Sequence, residues 1–443
     1  MTSFTSPTTI HSPSLRRVLI SQTQVAFTDS VCKFLLIDLA QRILLDPDMK
    51  ASVANLLPIL LPIPFILFSP LAGWLADRFS KRDVIGWTLV AQLAAILVLI
   101  LGMVLRSLPI TFFAFFFLSV QATFISPAKL GILKELVPVE RLGWAVGILE
   151  MLVMVAILVG GYFGGEFIGL CMKVSATTSG SGNGIFQNLI QCLSNPWNGG
   201  LVGTLILTIG CVITLVFFLG TEKTPAISDQ PFHFSLFWQQ FIDLDFLLRQ
   251  APLRLPALGV AYFYSFGGYM LLLLVEVGRE IHPSGAGAAA LSSILLLCLG
   301  MGTATGSMFA SQLCKHGINH RIIPLGAWGM VVMLGILAFI PSSVYLWLFA
   351  LVLTLAGFIG TLFYVPLAAL VQERAGNDSR GRIQGGTNIL VNIGQLVVIG
   401  SFYVFNVFWG MSSGPLILCA VASALVIALY TMGNMKSLAE HAH

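Results

Sequence analysis

Twelve apolar runs, each near the ~20 residues a helix needs to cross a hydrocarbon core, leave this chain few folds to choose from. They lie at about 16–41, 52–76, 84–105, 109–127, 143–170, 199–220, 255–278, 286–313, 322–340, 343–370, 384–408 and 414–433. Backbone polar groups inside a bilayer must be satisfied within the chain, so each run reads as a helix. The expectation is an all-α membrane protein with twelve transmembrane helices in two six-helix bundles. Composition agrees: 57% of the residues are hydrophobic and 9% charged, against about 25% charged in a soluble domain. The net charge of +4 comes from loop bases and implies neither nucleic acid nor an acidic partner.

Counting Lys and Arg loop by loop gives the orientation. With both termini cytoplasmic, 17 fall inside and 5 outside, with Lys33 left within a span. One missed or invented span would scramble that alternation, so the asymmetry supports both the topology and the count. Residues 1–15 are Ser/Thr/Pro-rich and read as a short disordered tail without a signal peptide. The sequon Asn377-Asp378-Ser379 falls on the cytoplasmic side, where it is not glycosylated. Seven cysteines show no metal or redox spacing, and no cofactor is expected. Cys171 and Cys192 share an outer loop and are open to a disulfide or to remaining as thiols.

The longest charged connection separates the sixth and seventh spans. The domains expected are a first bundle at 16–220, a cytoplasmic linker at 221–254 and a second bundle at 255–443. Within the linker, "FSLFWQQFIDLDFLLR" has helical apolar spacing and reads as a surface or interfacial helix. The halves echo each other. "SPAKLGILKELVPVERLGWAVGILE" follows the fourth span and "VPLAALVQERAGNDSRGRIQGGTNIL" the tenth. Each has a Pro near the helix end, a Glu seven or eight residues on, a basic loop, and a Gly three positions before a polar residue, Glu150 or Asn388. Duplicated units of this kind suit two bundles rocking around a central site.

The stretch "GWLADRFSKR", residues 73–82, resembles the G-x-L-x-D-R-x-x-K/R-R signature of the major facilitator superfamily. A basic loop alone accounts for Lys81 and Arg82, but not for Gly73, Leu75 and Asp77 at their positions. The resemblance implies a conformational latch of Gly73, Asp77, Arg78 and Arg82 reaching neighbouring helix ends in one state of the cycle.

Three further stretches are similar to the bacterial lysophospholipid transporter family: "AFTDSVCKF" at 26–34, "SPAKLGILKEL" at 126–136 and "VPLAALVQER" at 365–374. The likeness covers most of the chain. Ser30 and Ala368 depart from it, standing where the family has Asn. The resemblance implies uptake of lysophospholipid across the inner membrane of a bacterium, with membrane lipids around it and a separate acyltransferase acting on the product. Some members carry that acyltransferase fused, but no His-x4-Asp pair occurs here.

Charges inside spans are rare and mark functional sites by default. Asp29 and Lys33 stand at i and i+4 on one helical face. They can neutralise each other as structure or line a cavity where a phospholipid head group exchanges partners with them. Gln22 extends that face, and Glu150 adds a charge in the fifth span. Glu150 can pair with Lys33, pack as a protonated acid, or carry a coupling proton. Gln384, Asn388, Asn392 and Gln395 stack on one face of the eleventh span, suited to phosphate and glycerol oxygens or to helix–helix adhesion. Gln121, Ser126 and Tyr364 are further pathway candidates. The competing functions are a carrier of a water-soluble drug or metabolite, coupled to protons through Asp29 or Glu150, and an intramembrane enzyme. Only "SVCK" and "SGSG" at 179–182 favour the enzyme; the first lacks the companion motifs of a serine–lysine hydrolase, and the second lies in a Gly/Ser/Asn-rich loop. "LGMGTATGS" at 299–307 lies in a span with no preceding strand and reads as small-residue helix packing.

Overall fold

The computed structural model describes residues 12–44, 62–178, 192–224, 236–281, 286–315, 317–341, 344–375 and 380–440. The tail at 1–11, the start of the second span, "SGSG" and the sequon lie outside the described residues. Among those described, the chain is helical throughout: α1 Ser12–Ile43, α2 Pro62–Arg78, α3 Lys81–Val104, α4 Leu108–Leu136, α5 Leu142–Thr178, α6 Pro196–Leu219, α7 Leu236–Arg249, α8 Ala251–Ile281, α9 Ala286–Leu313, α10 Ile322–Phe339, α11 Leu346–Arg374, α12 Arg380–Tyr403 and α13 Ser413–Glu440. Setting aside the short linker helix α7, twelve remain. Ten are long and apolar enough to cross a membrane. α1 has the length, 32 residues, but carries Asp29, Lys33 and Asp38 among its apolar residues. α2 is described over 17 residues.

The helices form two compact units. One comprises Ser12–Lys129 and Ala156–Ala226, the other Leu130–Val155 and Ile227–His443. Each has its own core. In the first, Leu35, Leu36 and Leu39 of α1 meet Ile96 and Leu99 of α3, Phe115 and Leu118 of α4, and Ile168 of α5. In the second, Met270, Leu273 and Leu274 of α8 meet Leu295 of α9, Leu334 of α10, Phe349 and Leu353 of α11, and Leu416 of α13. Large apolar side chains also point outward, as lipid contact requires: Phe113 and Phe117 are exposed while Phe115 between them is buried. The Phe-rich stretch "FFAFFFL" at 112–118 thus divides between exposed and core positions.

Small residues set the closest helix contacts. A Cβ on Gly302 or Gly306 of α9 would collide with the α11 backbone at Thr354 or Phe358, and one on Gly357 of α11 would lie 2.5 Å from the Leu299 carbonyl. The Gly-rich stretch of α9 is therefore a packing seam, as expected. The linker helix α7 lies against α12, where Asp243 accepts from Arg382 Nε at 2.7 Å and the Arg382 guanidinium covers the Phe246 ring. Its other face exposes Phe241 and Ile242. Cys171 is buried within α5 and Cys192 is exposed; both are free thiols.

Candidate functional site

In the unit built on α1, polar side chains gather where the first apolar run is interrupted. Asp29 is half-buried, and the Gln92 carboxamide of α3 faces its carboxyl. Neither Asp29 Oδ1 nor Gln92 Nε2 closes a hydrogen bond within the protein, although Gln92 is fully buried. Lys33, one turn on, is an electrostatic neighbour of Asp29. Its ammonium stands 4.6 Å from the centroid of the Phe34 ring, a cation–π contact, and among the described residues no ion pair joins it to Asp29.

Around this pair, Gln24 Nε2 donates to Thr28 Oγ1 at 2.8 Å and to Cys211 Sγ of α6 at 2.8 Å, while its Oε1 has no partner. Gln22 is buried with Nε2 unpartnered, and Gln121 of α4 is buried with neither Nε2 nor Oε1 bonded. An unsatisfied buried amide group costs about 1–3 kcal/mol. Such groups recur where water or a polar ligand completes them. Ser30 is different: its hydroxyl donates to the Ile157 carbonyl at 2.7 Å, so it ties α1 to α5.

In the other unit the carboxamides satisfy one another. Gln372 Nε2 of α11 donates to Gln384 Oε1 at 2.7 Å, Gln384 Nε2 to Asn388 Oδ1 at 3.2 Å, and Asn392 Nδ2 to the Asn388 carbonyl at 2.6 Å. Glu150, which the internal repeat matches to Asn388, faces aromatic hydroxyls instead. It is 1% exposed, and the Tyr264 hydroxyl of α8 and the Tyr364 hydroxyl of α11 face its carboxyl. Those hydroxyls bond each other at 2.9 Å, Phe263 stacks on Tyr364 at 4.4 Å, and Glu150 Oε1 has no hydrogen-bond partner in the protein.

The signature stretch straddles a helix break. Gly73 is buried, Asp77 and Arg78 end α2 half-buried, and Arg82 opens α3. Arg82 Nη2 donates to the Leu219 carbonyl at 2.5 Å and Nε to the Thr221 carbonyl at 3.2 Å, at the C-terminus of α6. A cation there offsets the negative end of the helix dipole and satisfies free carbonyls. Lys81, which a topology loop would leave in water, is 1% exposed. The two repeat motifs also meet: Lys134 Nζ, from the first, donates to the Glu373 and Ala375 carbonyls of the second at 3.0 and 2.8 Å.

Gln92, Gln24, Cys211 and Tyr264 were not singled out by sequence. Gln92 did leave a signal, as the lone carboxamide in the otherwise apolar run "VIGWTLVAQLAAILVLILG". Tyr264 left none, because aromatics are common in such helices.

Long apolar helices in two compact units, with carboxylates and carboxamides held inside them, define a multi-pass integral membrane transporter. The profile of the Major Facilitator Superfamily matches residues 25–399, and the chain belongs to that family. It is a secondary transporter of that fold. Among curated relatives, the lysophospholipid transporter LplT of Photorhabdus laumondii is 26% identical over 88% of this chain and 87% of its own. That of Pectobacterium carotovorum is 27% identical over 89% and 86%. Among solved structures, the E. coli fucose:proton symporter FucP superposes with TM-score 0.70 at 13% identity, covering 95% of this chain and 98% of its own. The human organic anion transporter MFSD10 superposes equally well, with TM-score 0.70 at 13% identity, covering 95% and 99%.

Proposed function

We propose that the protein moves lysophospholipid inward across a bacterial inner membrane by alternating access, with 16–220 and 255–443 as the moving bundles, 221–254 as their linker and both termini cytoplasmic. Asp29 and Gln92 meet the head group, Lys33 contributes the positive charge for its phosphate, and Gln121 extends the polar path. Glu150, Asn388 and Asn392 belong to the pathway of the second half. Asp77 and Arg78, with Gly73 and Arg82, form the latch that holds one state. A separate acyltransferase consumes the product.

One observation carries the reading. Asp29 and Gln92 face each other with hydrogen-bonding capacity unspent, in the α1 stretch that carries the resemblance to lysophospholipid transporters. The relatives so named align over most of both chains. A zwitterionic head group offers an amine for a carboxylate and a phosphate for an ammonium. The test is uptake of labelled lysophospholipids into vesicles reconstituted with the protein, against water-soluble sugars and organic anions as controls. Concentrative or exchange uptake of the lipid alone is expected. Uptake of a soluble control without the lipid would transfer the site to another solute.

A further inference from the structure

Three helices of the first unit meet at one sulfur. Cys211 of α6 is 3% exposed and belongs to the core of that unit, where a cysteine is most often a small packing residue. Its neighbours here are polar. Its Sγ accepts from Gln24 Nε2 of α1 at 2.8 Å, lies 3.9 Å from Thr28 Oγ1, and donates to Gln92 Oε1 of α3 at 3.9 Å.

A thiol has one proton to give and weak lone pairs, whereas a carboxamide has a donor end and an acceptor end. Set between two carboxamides, the thiol is saturated when one turns its nitrogen to the sulfur and the other its oxygen. Gln24 turns its nitrogen, which also donates to Thr28 Oγ1 at 2.8 Å. Gln92 turns its oxygen. Asp29 selects between the two arrangements: its carboxyl faces the Gln92 carboxamide, and an acceptor there favours the N–H end, which leaves the oxygen for the thiol.

The far ends of both amides then stand open. Gln24 Oε1 and Gln92 Nε2 make no hydrogen bond within the protein, and Gln92 is fully buried. One sulfur thus leaves α1 showing an acceptor and α3 showing a donor, beside the open Asp29 Oδ1. With both amides reversed, α1 would show the donor and α3 the acceptor, in a site of the same shape.

We propose that Cys211 is a positioning residue: its thiol, donating to Gln92 and accepting from Gln24, holds the two carboxamides in one polarity and so decides which hydrogen-bonding partners the site accepts. The inference rests on the lysophospholipid reading for the name of the ligand. A ligand of matching polarity brings a donor to Gln24 and an acceptor to Gln92, as the ammonium and phosphate of a zwitterionic head group do. An anionic head group brings no ammonium and matches Gln24 less well. Packing would ask only for the volume of the Cys211 side chain. Positioning asks for a group that donates and accepts at once.

The first measurement needs no solute. Infrared difference spectra of the full-length protein in detergent, with and without Cys211→Ser, isolate the S–H stretch of this thiol among the seven cysteines. The band should lie below the free-thiol position, and Gln92→Leu, which removes the acceptor, should return it there. A free-thiol band in the parent, or a band that Gln92→Leu leaves in place, overturns the proposal whatever solute is carried. The second measurement is the ratio of lysophosphatidylethanolamine to lysophosphatidylglycerol uptake by reconstituted vesicles. Cys211→Ala should lower that ratio at least about fivefold, the scale of one hydrogen bond. Cys211→Ser, whose hydroxyl also donates and accepts, should keep it near the parent value. An unchanged ratio in Cys211→Ala, or an equal fall in Cys211→Ser, makes Cys211 a packing residue. Should Cys211→Ala fold poorly, Cys211→Val fills the volume without either bond and must lower the ratio likewise. If the parent takes up neither lipid, the lysophospholipid reading falls, and the infrared band alone decides the positioning.

Discussion

The polar stripe of α1 and that of α12 look alike in sequence, yet they have opposite hydrogen-bonding states. On α12 and α11, Gln372, Gln384, Asn388 and Asn392 form a relay in which each carboxamide finds a partner in its own unit. On α1 and its neighbours, Asp29 Oδ1, Gln24 Oε1, Gln92 Nε2 and both polar atoms of Gln121 are left over. The contrast separates a ladder that is hydrogen-bonded within its own unit from a cluster with polar atoms left open. A satisfied network holds helices together and specifies their register, whereas an unsatisfied one is costly unless solvent or solute completes it.

The largest effect expected of any test of this contrast is at Asp29 and Lys33. Because no ion pair joins them, replacing both, Asp29→Asn with Lys33→Met, should not restore transport. Uptake of zwitterionic lysophospholipid should fall at least about tenfold, equivalent to ~1.4 kcal/mol, at equal folded protein. Full transport by the double variant would return the pair to structure. Gln92→Leu should lose comparable uptake while raising thermal stability slightly, because a buried amide whose Nε2 has no partner is exchanged for an apolar side chain of similar size. A stability loss without a transport loss would reverse that reading.

The mirror experiment is Gln384→Leu. It removes two carboxamide bonds and should cost about 1–3 kcal/mol in stability, seen as a lower melting temperature, with head-group preference unchanged. A changed preference with normal stability would make Gln384 itself part of the binding surface. Smaller still is the response of the α7–α12 contact. Burial lifts the Asp243 carboxyl above its ordinary value despite Arg382. The folded state therefore holds that proton more tightly than the unfolded chain. The contribution is complete below the ordinary Asp range and is lost as pH rises through the higher folded value. Melting temperature should drop slightly across that acid window in the parent and not in Asp243→Asn. The same slope in the variant would assign it to another group.

The helices and the signature at 73–82 were legible because both are local: apolar run length and short spacing are written along the chain. So was the suspicion attached to Asp29, since a charge inside a span is anomalous wherever its partners are. The duties of individual motif residues were not legible. The motif implied that Arg82 reaches a neighbouring helix end, but not which one; here it closes the carbonyls at the end of α6, some 137 residues away. Ser30 stands where the resembled family has Asn, and nothing in the sequence shows that its hydroxyl is committed to Ile157.

From its residues alone this chain was bound to be a twelve-helix membrane protein of the facilitator type, because hydropathy, charge alternation and the loop signature depend on no long-range contact. Tertiary structure decided which polar atoms face one another. Rotation and register between helices come from close approach at small residues, such as Gly147 on Ser311 and Gly306 on Phe358. A shift of one residue turns a helix by about 100°. That is enough to carry Gln92 away from Asp29, or Glu150 away from its two tyrosines, with no change in the sequence pattern of either helix.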